Sequence, residues 1–441
     1  MHSLDNEITQ ALEALLRQVY QPRRAFPDAV PEPLPVPEEG LGMGALASLW
    51  DTVARGATHL GGTGMMGHMD TVTHPAAALT DAVVSALDNN PLFRELAPFA
   101  SAVEELLIAD CAQRIGFPPE AAGVFTSGGS IANLTALFAA CGGYADPEAR
   151  PGVRIFCTAA VHNSITRAAA VLGLGKKQIV LVAHDRQGRM DVDALRDALR
   201  AHPSERPIVV AICGNTLFGA LDDLPAIARE ARAVGAWLHV DAVYGGALAF
   251  SAAAKRRLQG LGEADSVIFG PQKWLYVPRL SAMALFRDRR IFDRVLKNTM
   301  PYSAMGEEHR GAWGLQGSRR ADAVTLWVTL QVVGTRQMGA WIDATLEAAQ
   351  ELNRMLHRAN RLRPVHQPDL SIQVFQRTDF IGREKALEAL HASVTQTNTH
   401  EVAPWFSLSR SWDGTLYLRA VILNPETGED DFRQLIELAS A

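Results

Sequence analysis

The sequence predicts an α/β protein with a mostly parallel central sheet covered on both faces, followed by a smaller C-terminal α+β lobe. Two observations carry this. Between residues 153 and 288, short apolar runs alternate with helical segments, the pattern of parallel strands buried between helices. Beyond about residue 325 the pattern changes to a long helix, alternating strands and a last helix. A chain of 441 residues is too long for one small core. The expected division is an N-terminal helix and proline-rich arm over 1–75, a large domain over 76–325 and a small domain over 326–441.

Taken in order, "MHSLDNEITQALEALLRQVY" places Leu12, Leu15, Leu16 and Val19 on one helical face. It lacks a basic region followed by an apolar core, so it does not read as a signal peptide. "YQPRRAFPDAVPEPLPVPEEGLG" is rich in proline, which continues neither a helix nor a central strand. It is an extended arm, either a surface linker or a strap around a second subunit. Residues 76–145 read as helical throughout, in "PAAALTDAVVSALDNN", "ASAVEELLIADCAQRIGF" and "SIANLTALFAACGGY". The alternation then begins: strand "VRIFCTAA", helix "SITRAAAVLGLG", strand "QIVLVAHD", helix "MDVDALRDALRAH" and strand "PIVVAICG". Helix "LPAIAREARAVG" and strands "AWLHVDAV", "DSVIFG" and "SAMALFRD" complete it. In the C-terminal part, residues 323–356 read as one long helix, "LSIQVFQR" and "TLYLRAVILN" as strands, and "GEDDFRQLIELAS" as the last helix.

Hydrophobic residues make up 48% and charged residues 20%, with a net charge of −6, a sequence pI of about 6.1 and no dense Lys/Arg tract. Nucleic acid and anionic membrane are therefore poor partners. No run reaches the roughly 18 consecutive apolar residues of a membrane span. Cys111, Cys141, Cys157 and Cys213 lie far apart without a CxxC pair, which supports neither a metal site nor a disulfide framework. A soluble cytoplasmic protein is expected.

In open α/β sheets, ligands sit at the carboxyl ends of the strands. "TSGGSIAN" (126–133) is a Gly-Gly turn between serines that runs into a helix; it is either a simple helix cap or a cradle for an anion. It matches neither GxGxxG nor the Walker A pattern, which argues against dinucleotides and nucleoside triphosphates. Asp241 ends the apolar strand "LHVDAVYGG", where a buried carboxylate needs a partner: a cap, an ion pair, or a cationic ring nitrogen. His162 follows "IFCTAAV" and Thr216 follows "PIVVAICG"; each reads equally as a structural residue. Lys273 stands between the strand "SVIFG" and two aromatic residues, in "GPQKWLY". One cofactor unites them. Pyridoxal phosphate needs a lysine for a Schiff base, an anion cradle, an acid for its pyridine nitrogen and a flat group on its ring. Lys273, the Ser127–Ser130 turn, Asp241 and His162 fit those four roles.

With those residues in place, the chain resembles the group II pyridoxal-phosphate-dependent amino-acid decarboxylases, whose members act on aromatic amino acids, glutamate, cysteine sulfinate or diaminobutyrate. The likeness runs from "GHMDTVTHP" to "LRAVILNPET" through "NNPLFRELAPFASAVEE", "TSGGSIANLTAL", "VHNSITRAAAVLGLG", "GNTLFGALDDL", "HVDAVYGG", "PQKW" and "GSRRADAVTLW". The resemblance implies the type I pyridoxal-phosphate (aspartate aminotransferase-like) fold and a homodimer with active sites at the interface. It implies that Gly129 and Ser130 hold the phosphate, His162 stacks on the ring and Asp241 pairs with its nitrogen. Thr216, Val243 and Gln272 would lie beside the cofactor, and Lys273 would bind it covalently. The implied reaction is decarboxylation of an L-amino acid to its amine and CO2.

Two positions depart from the family. Its usual Asp or Asn, Pro, His, Lys run is here Gly270, Pro271, Gln272, Lys273. Gln272 is neither a cation nor an effective proton donor at neutral pH, as a histidine would be. In the loop "NTMPYSAMGEEHRGAWGLQGSRR", where many relatives present a tyrosine from the partner subunit, His309 is the matching proton donor and Tyr302 its rival. A histidine there allows an alternative outcome, an aldehyde-forming oxidative deaminase or a carbon–carbon lyase. A non-catalytic member is the third reading, opposed by retention of the lysine, aspartate and histidine together. For substrate contacts, the Trp405-Phe406 pair and Trp412 are candidates for an apolar pocket and Arg410 for an acidic side chain, while Arg419 reads as structural.

Overall fold

The computed structural model describes residues 9–10, 12–17, 20, 24–279, 281–297, 310–400 and 402–441. Its described residues form two compact units. One comprises Thr73–Glu347 with Pro368–Ile372, and the other comprises the described residues up to Val72 with Ala348–Gln367 and Gln373–Ala441.

The larger unit is built on seven strands: β1 (Ala122–Thr126), β2 (Val153–Cys157), β3 (Ile179–Leu181), β4 (Arg206–Ile212), β5 (Trp237–Ala242), β6 (Ser266–Phe269) and β7 (Ala282–Phe286). Their order across the sheet is β1-β7-β6-β5-β4-β2-β3. Strands β3, β2, β4, β5 and β6 pair in parallel, and β7 runs antiparallel to both of its neighbours. β1 therefore points the same way as β6. Ile208, Val209, Val210, Ala211, Val240, Ala242, Val267 and Ile268 are all buried, because helices cover both faces and neither side of these strands meets water. Local signals start the helices between them. Asp191 caps Val192–Ala201 by accepting from Asp193 and Ala194 N–H at 3.0 Å, and Asp223 caps Leu224–Ala233 through Ala226 N–H at 3.1 Å.

Two expectations change. Residues 76–145 are not helical throughout: β1 interrupts them between the helices Pro98–Arg114 and Gly129–Ala140. Nothing local marks "AGVFT" as a strand. It is held by its neighbour β7, and Gly123 is needed because a Cβ there would lie 2.7 Å from the Ala284 carbonyl oxygen. The stretch 323–356 is two helices, Asp322–Val333 and Thr335–Arg358, separated by Gly334 at φ 79°, a conformation that ends a helix.

Beneath β1, Glu104 and Arg319 form a bidentate ion pair at 2.9 and 3.0 Å, with side chains only 2% and 5% exposed. Glu104 also accepts from Phe125 N–H at 3.2 Å. The pair ties the helix Pro98–Arg114 to the strand and to the "GSRR" segment.

The second unit holds strands β8 (Leu362–Pro364), β9 (Ile372–Arg377), β10 (Ser407–Arg410) and β11 (Leu416–Val421), in the order β10-β11-β9-β8. Its division from the first unit differs from the expected one. Residue 325 falls inside the helix Asp322–Val333, and the end of the N-terminal segment runs along the small sheet. Met66 N–H donates to Trp405 C=O at 2.9 Å, and Val421 N–H donates to Met66 C=O at 2.7 Å. A Cβ at Gly67 would overlap the Trp405 ring, so that glycine is what allows the indole to lie on the arm. Among the described residues no helix is long and apolar enough to cross a membrane.

Candidate active site

Because β1, β2, β4, β5 and β6 run in one direction, the loops after them share one edge of the sheet. After β1, Gly128 adopts φ 117°, where a side chain would be strained, and precedes the helix Gly129–Ala140 without a side-chain cap. Ile131 N–H closes the turn on Gly128 C=O at 3.1 Å, no side chain caps the N–H groups of Gly129 and Ser130, and Ser130 is exposed. Val243 packs against this turn, since a Cβ at Gly129 would sit 3.0 Å from its Cγ2. Gln316 clamps the preceding residue: Ser127 N–H donates to Gln316 Oε1, and Gln316 Nε2 donates to Ser127 Oγ, both at 2.8 Å.

After β5, Asp241 is half-buried. One carboxylate oxygen accepts from Val243 N–H at 3.2 Å and the other from Asn133 Nδ2 at 3.0 Å. After β2, His162 caps the helix Asn163–Val171, its Nδ1 accepting from Ser164 N–H at 3.2 Å. Partial burial of the ring holds His162 below the usual imidazole range; nearby Asp241 opposes this, and Lys273 and Arg167 add to it. His162 is therefore neutral at neutral pH, and it is linked to Asp241 through Ser164 and Asn133.

After β6 the chain turns through Pro271–Trp274, which presents half-buried Lys273. Trp274 anchors that turn. It is fully buried, donates to Thr345 Oγ1 at 3.1 Å and stacks on Tyr244 with ring centroids 4.7 Å apart. Tyr276, two residues on, is buried at φ 56°, a strained conformation for a tyrosine, and its carbonyl accepts from His74 N–H at 2.8 Å. Gln272 uses its carbonyl oxygen on Ser281 N–H at 2.7 Å, which leaves its NH2 as the free donor. Thr216 follows β4, exposed, in a turn that Asn215 holds through Gln187 C=O and Phe218 N–H at 2.7 and 2.8 Å. His309 and Tyr302 lie outside the described residues.

A family model described as the pyridoxal-dependent decarboxylase conserved domain matches residues 45–377. The chain belongs to that family. L-2,4-Diaminobutyrate decarboxylase of Rhizobium meliloti (strain 1021) is 31% identical over 415 residues, covering 91% of this chain and 82% of the relative. Among solved structures, mouse CSAD superposes with a TM-score of 0.87 at 23% identity, covering 97% and 98% of the two chains. Oryza sativa TDC with PLP and tryptamine gives 0.86 at 19% identity, covering 100% and 97%. At those identities the structural likeness speaks for the fold, and the type I fold is the one described above.

This decarboxylase acts on an amino acid with pyridoxal 5'-phosphate, and its site fits that cofactor: an uncapped helix start for the phosphate, a carboxylate, a neutral imidazole and an amine on one sheet edge. The glycine at position 270 has its own reason here. A Cβ would lie 2.7 Å from both the Val243 carbonyl oxygen and Val243 Cγ1, so the side chain the family usually carries does not fit. Gly270→Ala is expected to push Val243 into the site and weaken cofactor uptake about tenfold, the scale of a 1–3 kcal/mol overpacking cost; titration of the visible absorbance measures it.

Arg410 is already engaged within its own unit, with both carboxylate oxygens of Glu384 at 2.8 and 3.1 Å, and Trp405 and Phe406 are buried in that unit's core. Arg419, as expected, is structural, donating to Gly67 C=O at 3.3 Å. Sequence reasoning missed Asn133, Ser164, His239 and Gln316. His239 had a signal: it lies two residues before Asp241 on one strand, hence on the same face. Fully buried, its imidazole is lowered to about 4 by desolvation, which nearby Asp241 opposes. Between pH 4 and 6.5 the unfolded chain binds the extra proton, so His239 stabilises the fold above pH 6.5 and this is lost as pH falls towards 4. The loss is on the order of 3 kcal/mol. Acid unfolding monitored by circular dichroism is expected to be shallower in His239→Asn over that window.

Proposed function

We propose that the protein converts an L-amino acid to its amine and CO2, with the site residues in the following roles. Lys273 supplies the amine that holds the cofactor covalently. The N–H groups and hydroxyl of Gly129 and Ser130 bind the phosphate. Asp241 keeps a proton on the ring nitrogen by pairing with its charged form, and neutral His162 offers a flat face to the ring. Thr216, Val243 and the Gln272 amide line the remaining sides. Bound pyridoxal phosphate supplies the electron sink for the breaking bond between Cα and the carboxylate. His309, or its rival Tyr302, delivers the proton to Cα. The observation that carries the reading is the convergence of Lys273, Asp241 and His162, linked electrostatically at one sheet edge.

The working assembly in this reading is a cytoplasmic homodimer with active sites at the subunit interface, which sedimentation of the loaded protein tests. For the reaction, CO2 release is measured across aromatic, acidic, basic, sulfur-containing and aliphatic amino acids. L-2,4-Diaminobutyrate leads the panel, on the strength of the relative that bears its name. CO2 and amine in equal amounts from a narrow subset is the expected result. Ammonia and peroxide accompanying CO2 would replace it with aldehyde-forming oxidative deamination, and no CO2 from a loaded protein would point to the lyase reading.

A further inference from the structure

Behind Asp241 and His162 runs a chain of buried hydrogen bonds whose direction is fixed at both ends. Trp237 Nε1–H, which only donates, is 2.9 Å from Ser266 Oγ. Ser266 Oγ is 2.9 Å from His239 Nδ1, and His239 Nε2 is 2.8 Å from Asn133 Oδ1. The Asn133 amide nitrogen divides its two hydrogens between Ser164 Oγ at 2.8 Å and Asp241 Oδ2 at 3.0 Å. Ser164 Oγ is 2.8 Å from His162 Nδ1. Asn133, Ser164, His239 and Ser266 are each at most 2% exposed.

The carboxylate of Asp241 only accepts, so the Asn133 amide must turn its nitrogen towards it and its oxygen towards His239. The reverse orientation would set two buried acceptors against each other. His239 must then donate from Nε2 and, being neutral, accept the Ser266 proton at Nδ1. Ser164 receives a hydrogen from Asn133 and sends its own to His162 Nδ1, which already accepts the Ser164 N–H at 3.2 Å. His162 is left with Nε2–H as its one free polar group.

We propose that Asn133 and His239 are positioning residues that hold Asp241 as a pure acceptor and His162 as its Nε2–H tautomer. The inference rests on the cofactor reading of this site. Under it, the imidazole offered to the cofactor is a hydrogen-bond donor and not a base.

Asn133→Asp keeps the size of the side chain but removes both amide hydrogens. Ser164 must then donate towards residue 133, and His162 Nδ1 loses the hydroxyl. His239→Gln keeps a donor near Nε2, whereas His239→Asn does not reach. Two readouts separate positioning from mere packing: the tautomer of His162 from imidazole 15N shifts, and the dissociation constant of pyridoxal phosphate from visible absorbance. The wild-type protein is expected to show His162 as Nε2–H. Asn133→Asp and His239→Asn should shift that signature and raise the dissociation constant about tenfold or more, the scale of a lost hydrogen bond to a charged group. His239→Gln should keep both readouts at the wild-type values. If Asn133→Asp does not fold, Ser164→Ala removes the last link alone and should shift the His162 signature. Variants that change only the melting temperature, with tautomer and affinity as in the wild type, would overturn the proposal. A wild-type protein that takes up no pyridoxal phosphate would instead overturn the cofactor reading, and the tautomer spectra would still report on the chain.

Discussion

Lys273→Ala is expected to abolish CO2 release, by on the order of 10⁴-fold or more, the loss seen when one member of a tightly coupled catalytic unit is removed. Neither described neighbour on the turn carries an amine. These are Gln272, whose carbonyl is bound to Ser281, and Trp274, which is buried against Tyr244 and Thr345. Trp274 and Pro271 keep the turn in place without the amine, so the variant should fold and melt like the wild type. Single-turnover CO2 release with added pyridoxal phosphate measures the effect. Activity at the wild-type level would remove Lys273 from the mechanism.

Glu104→Ala carries the largest expected effect on stability, about 3–5 kcal/mol, because it leaves the buried guanidinium of Arg319 without its counter-charge. The geometry is bidentate and the pair is almost fully enclosed. Loss of the carboxylate also deprives Phe125 N–H, in β1, of its acceptor. β1 leads into the Gly128–Ser130 turn, so cofactor uptake should weaken together with the fold. Replacing both partners by apolar residues, Glu104→Leu with Arg319→Met, is expected to recover most of the lost stability, since it removes the uncompensated charge. Chemical denaturation of the single and double variants separates the two outcomes.

The sequence by itself determined the alternating layers and the strand ends at which the proposed site residues stand. Apolar runs such as "PIVVAI" and "SVIF" are legible because strands covered on both faces leave no room for polar residues. Strand-end residues Lys273, Asp241 and His162 are legible because chemistry collects where parallel strands stop. Tertiary structure decided what depends on a neighbour distant in the chain. β1 is a strand because β7 pairs with it, and residues 64–67 belong with the C-terminal unit because Trp405 and Val421 bond to them. Glycine stands at 270 because Val243 leaves no space for a side chain. The direction of the hydrogen-bond chain is likewise invisible in the sequence. Asn133, Ser164, His239 and Ser266 are ordinary residues on four separate elements, and only their juxtaposition requires that each donate one way. Periodicity records which face of an element is buried; it carries no record of which partner is found there.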